Sequence, residues 1–436
     1  MKIAIFTDAY WPRVNGVTVS VDSFSHALAN TGQEVLIICP LYPNAENNSV
    51  PNKKDSEEKS EPQIIRIPSV PVFVSKEDRL GKFGKWFWVF KQVENFNPDI
   101  IHINTEMAIA ELGFLYAKIH NLPAIYTFHT MWEDYTPHYF PMFPTFMVKY
   151  VTRRVLENVI RRSYRVVVPT SQIELTVHDY APNTQTFLLP TGIDPKIFEH
   201  DKEKCDAFRE KLEELFPQLK GKRILLFAGR VVKEKNIGFL LNILPEILAK
   251  HPDVILLIAG NGPDQSSIRE EARKKGLEDN CVFTGYFDRN DLALVYAISE
   301  IFVFPSLTDT QGLVTLEAML SGIPVVAIGA LGTLTVMGGD KGGFMVKDDP
   351  VEFTDRVLDL LDDPELRRRK SLEGKEHARL WSIDELTKKL IIIYESTAAA
   401  YTEENGVRIT PIWELIRKKS RLIKNKMVLR KLYRRR

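Results

Sequence analysis

The chain has 436 residues, 44% hydrophobic and 26% charged, a length and balance that exclude a disordered chain and suit two domains with full cores. Cys39, Cys205 and Cys281 are widely spaced and form no CxxC pair, which excludes a disulfide framework and a cysteine-based zinc site and fits a reducing compartment. The formal net charge of +1 hides a division: residues 417–436 carry eleven Lys or Arg and no acid, leaving 47 basic against 57 acidic residues, a net of −10, in the rest.

From Met1, KIAIF reads as a buried strand, TDAYWPRVNG as a polar loop, Val17–Thr31 as a helix stopped by Gly32, and VLIIC as a second strand. The opening apolar run is too short for a signal peptide, and no run of eighteen apolar residues follows, so neither export by that route nor a membrane span is expected. A strand, loop, helix, strand order is a parallel-sheet unit, with its loops at the ligand-binding carboxyl ends of the strands. Gly16 in the first loop either lets a diphosphate approach the backbone or simply relaxes a turn.

Residues 44–63 are nearly devoid of apolar groups and read as a mobile surface excursion. In RLGKFGKWFWVFKQV, lysines interleave with aromatics that include Trp86 and Trp88. Such a stretch is either a core helix with lysines on its wet side or an aromatic face for a lipid headgroup layer. PDIIHIN and PAIYTFH are further strands, the second ending at His129, which either donates to a sugar hydroxyl or is an ordinary loop histidine.

Val148, Val151, Val155 and Val159 recur at helical spacing, with Lys149, Arg153, Arg154, Arg161, Arg162 and Arg165 around them and only Glu157 opposing. A basic amphipathic helix is predicted, an anionic surface its partner. RVVVPT is a strand. From about Lys222 a second strand, loop and helix unit begins, and in its loop Arg230 and Lys235 can both turn to one diphosphate near a helix end. In VILLIAGNGPD, Gly260 and Gly262 relieve backbone crowding, and CVFTGYF and IFVFP are the next strands.

The stretch PSLTDTQGLVTLEAMLSGIPVVA then places Asp309 and Gln311 in a polar turn and starts a helix near Leu313. Backbone N–H groups of Gly312 and Leu313 at that helix end suit a phosphate, and Asp309 and Glu317 suit sugar hydroxyls. The alternative has Asp309 as a helix cap and Glu317 on a solvated face. Glycines in residues 329–346 predict loops around a short helix and a last strand, and amphipathic helices follow from Pro350 to about Thr397. The tail is an interfacial helix on anionic lipid or a solvated end, and it lacks the stacking platform or module that RNA binding requires.

DTQGLVTLEAM, AGRVVKEKN and HTMWEDY together resemble the family 4 retaining glycosyltransferases of the GT-B fold, and HTMWEDYTPH resembles the branch that glucosylates diacylglycerol. The resemblance covers most of residues 1–400. It implies an α/β fold of two facing Rossmann-like parallel-sheet domains, residues 1–190 binding acceptor and 191–395 binding donor, with a crossover helix and basic tail over 396–436.

It further implies that Arg230 and Lys235 neutralise the leaving diphosphate, that Asp309, where the pattern has Glu, and His129 hold the donor sugar, and that Glu317 holds the ribose. Gly16, Gln311, Gly312 and Leu313 complete the donor site. Glu133, Asp134 and His138 lie on the acceptor side, with Trp86, Trp88, Arg153 and Arg154 toward a membrane. No metal or cofactor is required, and the substrates expected are UDP-glucose and 1,2-diacylglycerol, at the inner face of the cell membrane of a cytoplasmic, peripheral enzyme. Mannosyl transfer from GDP-mannose to phosphatidylinositol or another lipid or glycan shares every motif, and a non-catalytic sugar-nucleotide sensor is the alternative of another class. No signal of oligomeric state is present.

Overall fold

The computed structural model describes residues 1–13, 15–43, 61–72, 75–82, 84, 86–133, 136, 140, 142–309 and 311–406. Most of the polar excursion 44–63 and the whole basic tail 417–436 lie outside the described residues, as do Asp134 and His138. Two compact units divide the chain: Met1–Val168 with Ile173–Leu188 and Lys389–Arg436, and Pro169–Gln172 with Leu189–Lys388.

The first unit contains β1 (Lys2–Phe6), β2 (Glu34–Pro40), β3 (Gln63–Ile67), β4 (Ser69–Val72), β5 (Ser75–Gly81), β6 (Ile100–Ile103), β7 (Ala124–Thr127), β8 (Arg165–Val168) and β9 (Thr186–Leu188). Its main sheet is parallel throughout, in the order β3-β2-β1-β6-β7-β8-β9, with β4 and β5 forming a separate antiparallel pair. Helices cover both faces of a parallel sheet, so its central strands are apolar without alternation, as in IIHI of β6, where every residue is buried.

The second unit contains β10 (Arg223–Ala228), β11 (Val254–Ala259), β12 (Cys281–Gly285), β13 (Ile301–Phe304), β14 (Val325–Ile328) and β15 (Gly343–Val346), all parallel, in the order β12-β11-β10-β13-β14-β15. Each unit has its own apolar core. In each, the chain winds outward from the first strand to one side and then resumes on the other, so the strand order reverses between β1 and β6 and between β10 and β13. At such a reversal the loops leaving adjacent strands diverge and open a crevice at the carboxyl ends.

The helix Ile383–Asn405 starts in the second unit, and its residues from Lys389 belong to the first. There Tyr394 Oη lies 2.7 Å from His102 Nδ1, and Thr127 Oγ1 is 2.7 Å from His102 Nε2. Burial lowers His102 to about 3, so the ring is neutral and serves as a polar tie between sheet and helix.

Candidate active site

In the second unit, the loop leaving β10 carries Arg230 and Lys235, and the loop leaving β13 carries Asp309. The two strands flank the order reversal, and Lys235 Nζ reaches Asp309 Oδ2 at 3.0 Å across it. Both side chains are about five-sixths buried, at 16% and 17% exposure, so the pair is only partly screened by water. Lys235 also stands 5.6 Å above the Phe304 ring, itself stacked on Phe302 and Phe227. Arg230 is exposed at the start of the same loop.

Backbone contacts fix this geometry. Val231 N–H donates to Asn261 carbonyl, Gly229 N–H to Ala259 carbonyl, and Lys233 N–H to Asp264 Oδ2, so the cationic loop lies on the loop leaving β11. A Cβ on Gly260 would stand 1.8 Å from the Gly229 carbonyl oxygen, and one on Gly262 2.1 Å from that of Val231. Any larger residue there would displace Arg230 and Lys235, which is the crowding the sequence pattern anticipates.

Asp309 is also a cap: its Oδ1 accepts from Gln311 N–H and Gly312 N–H. The Gly312 N–H expected to meet a phosphate is thus engaged by Asp309 in this structure, because the carboxylate folds back over a helix end whose first N–H groups lack intrahelical partners. Gly312 has φ +67, and Gly332 N–H donates to the Asp309 carbonyl. Gln311 is half-buried, its Oε1 enclosed without a hydrogen-bond partner among the described residues, and Leu313 opens the helix Leu313–Ser321.

Glu317, on that helix, is not on a solvated face. Burial pushes its carboxyl up to about 6, against the pull of Arg289 and of the Tyr296 hydroxyl, which donates to Oε2 at 3.1 Å, while Asp309 adds to the rise.

In the first unit the other order reversal carries a polar cluster that the sequence reading passed over, His129 excepted. Asp8, after β1, accepts from Thr105 Oγ1 at 2.7 Å and from Ile109 N–H at 2.9 Å, capping the helix Ala108–His120. Glu106, after β6, accepts from Tyr126 Oη and, at 2.8 Å, from Trp132 Nε1. Burial pushes Glu106 up to about 7 although both donors pull it down. The available signal was an acid just beyond each of two adjacent buried strands, TD after KIAIF and NTE after IIHI.

His129 Nε2 lies 2.9 Å from Asn104 Oδ1, to which it donates. Burial lowers the ring to about 4, so it is neutral near pH 7 and its one proton goes to Asn104. Nδ1 is then an acceptor for a ligand hydroxyl, the reverse of the expected donor role. Glu133 has a buried Oε1 without a hydrogen-bond partner among the described residues. Gly16 begins the helix Gly16–Asn30 with nothing among the described residues within 4 Å of where a Cβ would stand, so the backbone there is open to close approach.

Two surface expectations change. The helix Thr145–Arg162 buries Leu156, Val159 and Ile160, while Val151 and Val155 are exposed beside Phe143, Phe146, Met147 and Tyr150. Its cations also meet more acids than Glu157: Arg153 pairs with Asp179 as well as Glu157, and Arg162 with Glu111, whereas Arg154 pairs with Glu157. Counting charges along one helix missed acids from neighbouring elements. On the helix Trp86–Phe96, Val89, Phe90, Val93 and Phe96 are buried while Trp86, Phe87 and Trp88 stay exposed, so one helix has both faces weighed as alternatives.

Two parallel α/β units, the second with a cation and carboxylate constellation at its switch point, define a GT-B glycosyltransferase. Family models agree: residues 208–377 match glycosyl transferases group 1, and residues 14–197 match glycosyltransferase family 4. Among solved structures, Anabaena HepE in complex with UDP and glucose is similar in fold (TM-score 0.66, 16% identity, 91% of this chain and 100% of that one), as is sucrose-phosphate synthase from Thermosynechococcus elongatus (TM-score 0.66, 21% identity, 92% and 99%).

The alpha-monoglucosyldiacylglycerol synthase of Streptococcus pneumoniae is 34% identical over 76% of this chain and 71% of its own length. That of Acholeplasma laidlawii is 27% identical over 84% and 89%. The chain belongs to this monoglucosyldiacylglycerol synthase branch of the GT-B glycosyltransferases.

Proposed function

We propose that the protein transfers glucose from UDP-glucose to the free hydroxyl of 1,2-diacylglycerol, retaining the anomeric configuration. The observation that carries the chemistry is the Lys235–Asp309 pair across the switch point of the second sheet, beside Arg230 and the half-buried Glu317. Similarity to two monoglucosyldiacylglycerol synthases supports the acceptor, and the UDP and glucose held by HepE support the donor.

In this reading Glu317 accepts hydroxyls of the ribose, and Asp309 and His129 hold the sugar. Gln311, Gly312 and Leu313 line the donor, and Gly16 lets its diphosphate near the backbone. As the bond between the anomeric carbon and the phosphate oxygen breaks, its electron pair stays on the diphosphate. Arg230 and Lys235, once the diphosphate has drawn Lys235 from Asp309, stabilise that charge as it develops. The acceptor oxygen attacks the same face of the sugar and its proton passes to the departing phosphate. Glu133, Asp134 and His138 serve the acceptor side.

Binding to a bilayer fits two exposed apolar groups of the first unit, Trp86, Phe87 and Trp88, and Phe143, Phe146, Met147 and Tyr150, with Arg153 and Arg154 beside the second. Among the described residues no helix is long and apolar enough to cross a membrane. The enzyme in this reading is peripheral, at the cytoplasmic face, with the basic tail adding attraction to anionic lipid.

Incubation with diacylglycerol vesicles and labelled UDP-glucose tests the proposal. An α-linked monoglucosyl lipid is the expected product; transfer only from GDP-mannose would replace it with mannosyl transfer. That second reading is favoured by a GDP-mannose-dependent alpha-mannosyltransferase of Corynebacterium glutamicum, 25% identical over 82% of this chain and 79% of its own length.

A further inference from the structure

Tyr296 is fully buried, its ring against Phe302 at 5.5 Å and Phe198 at 6.3 Å, so the phenol has little freedom to turn. Its hydroxyl donates to Glu317 Oε2 at 3.1 Å. Arg289 opens the same helix, Arg289–Ala297, which is capped by Asp288 through Asn290 N–H and Asp291 N–H. Glu317 Oε1 has no hydrogen-bond partner among the described residues and is not among the fully enclosed polar atoms. The titratable groups that face Glu317 are Arg289 and Tyr296 from this helix and Asp309 from the loop after β13, itself paired with Lys235.

We propose that Tyr296 and Arg289 are positioning residues for the donor: Tyr296 fixes Glu317 Oε2, Arg289 supplies the opposing charge, and Oε1 is left to accept a ribose hydroxyl. This deepens the donor reading above and rests on it. A neutral carboxyl bound to Tyr296 would be a poorer acceptor, and burial already pushes Glu317 up to about 6, close to working pH. Without the phenol hydroxyl or the guanidinium, Glu317 would hold its proton to higher pH. Donor affinity would then fail earlier as the solution is acidified.

The test is calorimetric titration of the full-length protein with UDP-glucose between about pH 5 and pH 8. UDP-glucose suits it because its diphosphate is esterified at both ends and has no proton to exchange in this range. The parent should lose affinity as pH falls through about 6. Tyr296→Phe should move that midpoint upward and bind about tenfold more weakly near pH 7, with kcat at saturating donor within about twofold. Arg289→Ala, at an exposed position, should move the midpoint the same way, and it decides the matter should Tyr296→Phe fail to fold.

Glu317→Gln should bind weakly with no dependence on pH in this range. Weak Glu317→Gln binding with Tyr296→Phe and Arg289→Ala curves superimposed on the parent would overturn the inference and leave the donor reading intact. A Glu317→Gln variant that binds like the parent would remove Glu317 from the donor site and both conclusions with it.

Discussion

Asp309→Asn separates two roles of one carboxylate. Asp309 Oδ2 is 3.0 Å from Lys235 Nζ, a separation at which two unit charges attract by about 5 kcal/mol at an effective dielectric of about 20, much of it offset by desolvation. A diphosphate arriving at Lys235 therefore competes with Asp309 for the same ammonium. Removing the Asp309 charge should release Lys235 and tighten UDP binding about tenfold, equivalent to about 1.4 kcal/mol. Turnover should fall about a hundredfold, because the sugar loses its charged acceptor.

Calorimetric titration with UDP and a labelled-transfer assay on diacylglycerol vesicles measure the two effects separately. Lys235→Met should lose both affinity and turnover, and Asp309→Asn in that background should bring no gain in UDP affinity. A folded Asp309→Asn protein with weaker or unaltered UDP binding, or an equal gain without Lys235, would refute the competition.

Three further outcomes follow from the structure. Glu106 has a folded pKa of about 7, above the unfolded range, so the unfolded chain releases its proton first as pH rises and stability falls between about pH 4.5 and pH 7. Glu106→Gln lacks that decline and should gain about 3 kcal/mol on the parent across the interval, read by thermal unfolding; a constant difference between the two would contradict the burial argument. Gly332→Ala puts a Cβ 2.5 Å from the Gln311 and Gly312 backbone, so it should cost about 1–3 kcal/mol of stability and weaken UDP binding, and a neutral result would mean the 309–312 loop is not braced there. Phe146→Asp with Met147→Asp should reduce sedimentation with vesicles at both low and high salt, whereas deletion of 417–436 should do so mainly at low salt; unchanged sedimentation of the first variant would discount the exposed apolar face.

The parallel sheets were legible because strands buried on both faces are unbroken apolar runs, as KIAIF, VLIIC and VILLIA are. The β4–β5 pair was not, since SVPV is only four residues with a central proline and SKEDRLG is mostly polar, and the two strands pair with each other rather than with the main sheet. Arg230, Lys235, Asp309 and Glu317 could be named from motif resemblance. Their pairing could not, because Lys235 and Asp309 are 74 residues apart and meet only through the strand order. Glu106 stands just beyond its strand in NTE, but Tyr296 sits in unremarkable local sequence, and only folding shows that each half-buried carboxylate has a phenol donor. The helix that carries Val151 and Val155 was legible, but which of its valines protein covers was not, because helical spacing identifies an apolar stripe without saying what packs on it.

Determining the structure with UDP bound tests the donor-site assignment most directly. The diphosphate should lie against Arg230 and Lys235 at the carboxyl ends of β10 and β13, with the ribose hydroxyls on Glu317. A nucleotide seated elsewhere in the second unit, with Lys235 and Asp309 still joined and Glu317 bare, would contradict it.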